Sequence, residues 1–149
     1  ANDKIVVGDS RYGLKKYSGF TMITPNESEA FALSGLRENE PIEDAGGKVL
    51  SGMRLSALLV TRGNKGMTLF LKDGKVHHIP ISGKDDVTDV TGAGDTVCAA
   101  VALSLASGAG FLDASRIATY SAGIVVMKRG TATVTVAELK RSIENGGKI

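Results

Sequence analysis

Asp89-Val90-Thr91-Gly92-Ala93-Gly94-Asp95 runs straight into a long apolar stretch, Thr96 to Ala109. A glycine-bearing turn followed by apolar residues of helical length predicts a helix whose first turn holds the Asp95 carboxylate. Small residues at such a junction let backbone N–H groups approach an anion closely, and the helix start adds roughly +0.5 of partial charge. A carboxylate beside a phosphate cradle repels the phosphate unless it has a proton to take. The combination points to phosphoryl transfer, with amides holding the transferring group and Asp95 accepting the proton of an acceptor hydroxyl. The plainer reading is an ordinary helix start in which Asp95 only favours the dipole.

Working outward, short apolar strands alternate with helices. Strands are expected over Lys4–Gly8, Thr21–Thr24 and Leu58–Thr61, and Asp73-Gly74 predicts a hairpin between Met67–Leu71 and Lys75–Ile81. Helices are expected over Glu27–Leu36, Ile42–Arg54, Gly94–Ala109, Leu112–Lys128 and Val136–Glu144, with Gly46-Gly47 weakening the second. This alternation predicts an α/β fold: three layers, α/β/α, around a mostly parallel sheet with the hairpin as an antiparallel edge. Ligands of such sheets sit beyond the C-terminal strand ends, so the loops at Asp9, Asn26, Thr61 and Asp89 are expected to converge on one rim.

The 149 residues are about one domain long, enough to bury a core. A net charge of +2, with Lys and Arg spread along the chain and few aromatics, argues against a nucleic-acid surface. No apolar run is long enough to span a membrane and no signal peptide precedes the first strand, so a cytoplasmic location is the default. Cys98 is the only cysteine and reads as a small buried hydrophobe rather than a nucleophile. The chain has no initiator Met and opens almost at once on an apolar strand, which predicts the later part of a longer protein or a processed piece.

Asn26 and Glu29 stand three apart at a helix start, so both side chains can face one way; from the residues alone a capping box explains them as well as a ligand does. Thr61, Gly63 and Gly66 read either as a plain turn or as backbone brought close to a ligand. Asp89 fits a turn equally well. His77 and His78 are adjacent on a strand, point to opposite faces, and do not share a metal easily.

Taken together, Pro25-Asn26-Glu27-Ser28-Glu29, Val60-Thr61-Arg62-Gly63-Asn64-Lys65-Gly66, and Asp89 to Asp95 followed by Ala99-Ala100 resemble three elements of the ribokinase-like, or PfkB, family of sugar kinases, in the family's order. The likeness covers essentially all of 1–149, as the C-terminal, nucleotide-binding and catalytic portion of such a kinase domain. Within the family, Asp9-Ser10-Arg11, the Thr24-Pro25-Asn26-Glu27 context and Gly130-Thr131-Ala132-Thr133 are most similar to its heptose 7-phosphate kinase branch.

The resemblance implies ATP-dependent phosphorylation of a sugar or sugar-phosphate hydroxyl. Asp95 would be the base, and the amides of Gly92, Ala93 and Gly94 the anion hole. Asn26 and Glu29 would organise the phosphates and Mg²⁺, largely through water. Thr61, Gly63 and Gly66 would approach the nucleotide, and Thr119 and Gly123 would line the adenine pocket. Asp89 and Thr91, with the loop Lys128 to Thr133, would hold a monovalent cation such as K⁺. Asp9 and Arg11 would face the nucleotide or a phosphate, or else form a surface ion pair. The family's earlier half carries a glycine-rich sugar-contact region and a small β-sheet lid, and neither is recognisable here. A homodimer or a complementing N-terminal half would then complete the site.

Other functions fit less well. A nucleotide-binding fragment without activity of its own remains the alternative. A dinucleotide oxidoreductase lacks its Gly-x-Gly-x-x-Gly after the first strand, and a P-loop NTPase lacks its Gly-Lys-Ser/Thr end.

Overall fold

The computed structural model describes residues 4–9, 12–83 and 88–146. β1 (Val7–Gly8), β2 (Met22–Ile23) and β3 (Ala57–Thr61) run parallel. β3, β4 (Met67–Leu71) and β5 (Val76–Ile79) continue as an antiparallel meander, in the spatial order β1-β2-β3-β4-β5. Helices α1 (Glu27–Ser34) and α2 (Ile42–Gly52) connect β2 to β3. α3 (Ala93–Ala106), α4 (Phe111–Val125) and α5 (Val136–Glu144) follow the hairpin.

β3 shows why the layers form. Its side chains alternate, as extended backbone requires. Ala57 and Leu59 face a cluster with Val97, Val101 and Leu105 of α3 and Ala114 and Ala118 of α4. Leu58 and Val60 face the opposite cluster, with Ala30 and Phe31 of α1 and Ala45 and Val49 of α2. Both faces are covered, so the run is apolar throughout rather than alternating. Leu58, Leu59 and Val60 are each 0 % exposed, and each such side chain contributes about 1.5–3 kcal/mol on burial. The expected three-layer α/β/α arrangement is present, with a mixed sheet.

Element ends differ from expectation for local reasons. The first strand pairs only over Val7–Gly8, because the Val6 amide turns to the Thr21 hydroxyl at 3.0 Å, leaving Ile5 and Val6 45 % and 40 % exposed. β5 stops at Ile79 because Pro80 has no N–H to continue a ladder. α3 ends at Ala106, before Gly108 at φ 90°, and α4 ends at Val125 rather than Lys128. Gly46-Gly47 does not break α2: Gly46 lies where a Cβ would run into the Phe70 ring, so the glycine lets helix and sheet approach. His77 and His78 sit on β5 as expected, and His78 bonds Thr68 through Nδ1 at 3.3 Å and approaches Glu43 through Nε2 at 3.4 Å. Among the described residues no cluster of His, Cys, Asp and Glu is placed to hold a metal by itself, and no helix is long and apolar enough to cross a membrane.

Candidate active site

The parallel strands end on one rim. Asp9 follows β1, Asn26 follows β2 and Thr61 ends β3, and an isolated parallel bridge joins Asn26 to Thr61. Arg11, expected beside Asp9, lies outside the described residues.

A cleft of ≈ 490 Å³ opens between β1 and α3, lined by Asp9, Tyr17, Phe20, Asp95, Cys98 and Ala102 together with their neighbours. Tyr17 and Phe20 stack at 4.8 Å with their planes 2° apart and form an apolar wall. Asp95 occupies the third position of α3, exposed, with no hydrogen bond or ion pair among the described residues. The Asp9 carboxylate lies against the same helix start: a Cβ on Gly94 would stand 3.6 Å from its Oδ2. Cys98 is half-buried one turn further on. Burial pushes its thiol up, and the Asp9 and Asp95 carboxylates add to this. That thiol stays protonated near neutral pH and is no nucleophile.

The junction before α3 is built on glycine. Gly92 caps the helix at φ 77°, a left-handed conformation, and a Cβ there would stand 3.9 Å from Thr131 Cγ2. No side chain caps this end, so its amides are left to other partners. The Ala93 amide is one exception: it donates to the Val90 carbonyl at 3.2 Å. Of the three amides expected in the anion hole, Ala93 is therefore internally engaged, and Gly92 and Gly94 have no acceptor among the described residues. The Asp95 amide is open in the same way.

Asn26 caps α1. Its side chain accepts from the Glu29 amide at 2.9 Å, and Glu29 Oε2 accepts from the Asn26 amide at 2.9 Å. The capping box read from the sequence is thus formed. It leaves Glu29 Oε1 without a partner among the described residues, which suits a water-mediated contact with a hydrated Mg²⁺ held mainly by phosphates.

The loop after β3 closes on itself, with the Arg62 amide donating to the Gly66 carbonyl at 2.8 Å. Gly63 (φ 56°) and Gly66 (φ 82°) are left-handed, and at Gly66 a Cβ would run into the Ile79 carbonyl. Missing from the sequence reading is what holds this loop. Glu27 Oε1 accepts from Arg62 Nε at 3.0 Å and Nη2 at 2.9 Å, and Lys65 Nζ lies 3.3 Å from Oε2. Partial burial pushes the Glu27 carboxyl up, but the hydrogen bonds and charges of Arg62 and Lys65 outweigh it and hold it below the ordinary carboxylate range. No signal in the chain pairs residues 35 apart, although an acid in the first turn of a helix and a base in the next loop are the types required.

Three further expectations find other settings. Thr119 is buried, its hydroxyl donating to the Ser115 carbonyl at 3.0 Å and lying 3.5 Å from Met67 Sδ, away from the cleft lining. Gly123 is where a Cβ would run into the Ser82 carbonyl. Asp89 fastens two loops: Oδ1 accepts from the Thr91 amide and Oδ2 from the Gly130 amide, both at 2.9 Å. Those bonds, the Thr91 one foremost, hold the Asp89 carboxyl below its ordinary value.

Comparison with known proteins places the chain in a family. Residues 10–138 match the profile of the pfkB family carbohydrate kinases. The chain is 45 % identical over 141 residues to the bifunctional protein HldE of Geobacter sulfurreducens, covering 93 % of this chain and 29 % of that protein. It is 42 % identical over 144 residues to HldE of Haemophilus influenzae, covering 96 % of this chain and 30 % of that protein. Among solved structures, ribokinase of Thermotoga maritima superposes with a TM-score of 0.84 at 27 % identity, over 96 % of this chain and 50 % of that one. Arabidopsis thaliana ribokinase, complexed with ribose and ATP, gives 0.76 at 27 % identity, over 84 % and 41 %. The chain thus spans less than a third of the length of the HldE proteins it matches. An α/β/α sheet carrying these three motifs along one rim, matched by one family profile over most of its length, makes the chain a member of the pfkB family of carbohydrate kinases.

Proposed function

We propose that this chain is the nucleotide-binding and catalytic portion of a kinase that transfers the γ-phosphoryl group of ATP to a sugar or sugar-phosphate hydroxyl. A heptose 7-phosphate is the favoured acceptor class, on the likeness of the motifs around Asp9, Thr24–Glu27 and Gly130–Thr133 to that branch of the family. The observation that carries the reading is the exposed Asp95 carboxylate in the first turn of α3, on the wall of an open cleft. Asp95 takes the proton of the acceptor hydroxyl as it attacks. The open amides of Gly92 and Gly94, at the positive end of α3, hold the transferring group where negative charge spreads. Asn26 and Glu29 orient the phosphates, and Mg²⁺, when bound, neutralises charge across them. Thr61, Gly63 and Gly66 keep the nucleotide loop close to β3. The stacked Tyr17 and Phe20 flank the acceptor side and exclude water from part of it.

The test is Asp95→Asn in the full-length protein. Turnover should fall roughly 10²–10⁴-fold while ATP affinity changes little. Unchanged turnover would remove Asp95 from its role.

A second reading has its own support. The chain covers about half or less of the ribokinases it superposes on, and the cleft beside β1 is open. This portion would then hold nucleotide but need a preceding half, added at the β1 edge, to bind sugar. Calorimetry with ATP, followed by kinase assays with and without the preceding residues, separates the two.

A further inference from the structure

Thr68 interrupts the apolar face that β4 turns toward α1 and α2 beside Phe70. Its register partners are Val60 on β3 and His78 on β5, so the three side chains stand side by side on that face. Thr68 is 0 % exposed, and a hydroxyl that deep costs stability unless its hydrogen bonds are made. Two partners reach it, Arg62 Nη1 at 3.4 Å and His78 Nδ1 at 3.3 Å. A guanidinium can only donate, so Arg62 takes a lone pair of the hydroxyl oxygen and the single hydrogen of Thr68 is left to give. His78 Nδ1 is the acceptor within reach, which puts the imidazole hydrogen on Nε2, 3.4 Å from Glu43 Oε1 in the first turn of α2. The contacts then run in one direction, from Arg62 through Thr68 and His78 to Glu43.

We propose that Thr68 and His78 are positioning residues for the nucleotide loop, holding the Arg62 side chain in the orientation that keeps residues 63–66 beside the nucleotide. This role rests on reading that loop as the nucleotide loop. Arg62 Nε and Nη2 both close on one oxygen, Glu27 Oε1. Two donors on a single oxygen leave the guanidinium free to swing about that atom, as a fork on two oxygens would not. A further contact at Nη1, on the other side of the group, removes the swing. The Arg62 backbone is where the loop closes: its amide donates to the Gly66 carbonyl at 2.8 Å and its carbonyl accepts the Lys65 amide at 3.1 Å. What fixes the Arg62 side chain therefore fixes the shape of the loop. The bonds at Thr68 are long, so each is weak alone, and the expected effect is correspondingly modest.

The test reads two quantities side by side in the full-length protein: amide hydrogen exchange over residues 62–66 and ATP affinity by calorimetry. Thr68→Val keeps the side-chain shape and removes the hydroxyl. It should speed exchange at the Arg62, Lys65 and Gly66 amides and weaken ATP binding about three- to tenfold, the share of one hydrogen bond. Thr68→Ser, which keeps the hydroxyl, should restore both. His78→Leu should act like Thr68→Val, and His78→Asn, whose side-chain oxygen stands as many bonds from the backbone as Nδ1, should restore both again. The His78 side chain is 59 % exposed, so these two variants keep the test open even where Thr68→Val fails to fold. A lower thermal midpoint with loop exchange and ATP affinity unmoved would mean a packing role alone and overturns the proposal. Faster loop exchange with unchanged ATP affinity overturns it too, and so does a Thr68→Ser protein that recovers neither quantity. Wild-type protein that takes up no ATP would instead sink the nucleotide reading, and exchange over 62–66 would still decide whether Thr68 and His78 hold the loop.

Discussion

Arg62 grips a single oxygen of Glu27 from two nitrogens, Nε at 3.0 Å and Nη2 at 2.9 Å, and so pins the loop after β3 to the first turn of α1. The pair is largely shielded, with side chains 17 % and 29 % exposed, which sets it apart from the chain's solvated ion pairs. A carboxyl held below its ordinary value in the fold stabilises the protein above its unfolded pKa, and that contribution is lost as pH falls through the folded value. Glu27→Gln should therefore cost about 1 kcal/mol at neutral pH and converge with the wild type in acid. Denaturant melts from neutral pH down to about pH 3 check this, since Glu ordinarily titrates near 4.3. A constant gap between the two proteins across that range would mean that the pair adds nothing through its charge.

Gly46 and Phe70 make a second testable contact. Phe70 stands on β4 with its ring against α2, at the place a Cβ of residue 46 would take. Gly46→Ala improves helix propensity by about 1 kcal/mol in isolation, but overpacking of a closed core typically costs 1–3 kcal/mol. The ring is 2 % exposed and enclosed by Ile42, Ala45 and Val49, so it has little room to shift and overpacking should win. Gly46→Ala should lower the thermal midpoint, and the shorter side chain of Phe70→Leu should make the same substitution neutral or favourable. Equal effects of Gly46→Ala in both backgrounds would show that the ring is not the obstacle.

These two contacts mark what could and could not be read from the chain. The alternation of Leu58, Leu59 and Val60 between two helical layers follows from a continuous apolar strand between helices, and both layers are present. The Asn26–Glu29 box and the Thr135–Glu138 box are local, three residues across, and the first was legible for that reason. Gly46 read as a weak point of its helix because its reason lies on β4, far along the chain. Separation along the chain also hid the Glu27–Arg62 clamp, whereas the family resemblance had already brought Asp89 and the 128–133 loop together, 41 residues apart at the Asp89 to Gly130 bond. Sequence periodicity carries information over one or two turns; which loops meet is decided by the sheet order.

Cys98 offers a chemical check on the cleft. Burial, with the Asp9 and Asp95 carboxylates adding to it, pushes the thiol above its ordinary value. Alkylation by iodoacetamide should be much slower than for a free cysteine at neutral pH, and its rate should keep rising past the pH at which a free thiol, ordinarily near 8.5, is fully ionised. Asp9→Asn should speed the reaction by removing one of the opposing charges. A rate equal to that of free cysteine at pH 7 would show that the thiol feels neither the burial nor the carboxylates.

Glu29 can be separated into its two roles because glutamine serves one of them. In a capping box the third residue needs only an oxygen that accepts the N-cap amide, and glutamine supplies it as well as glutamate does. Glu29→Gln should therefore keep the 2.9 Å bond to the Asn26 amide and change stability by less than about 0.5 kcal/mol. It should nevertheless raise the Mg²⁺ concentration needed for half-maximal activity of the full-length protein, because the charge facing the hydrated cation is gone. Asn26→Ala, which removes the cap itself, should cost about 1 kcal/mol in the same melts. If Glu29→Gln leaves the Mg²⁺ dependence where it was, then Glu29 serves α1 alone, and the cation is held by the phosphates without its help.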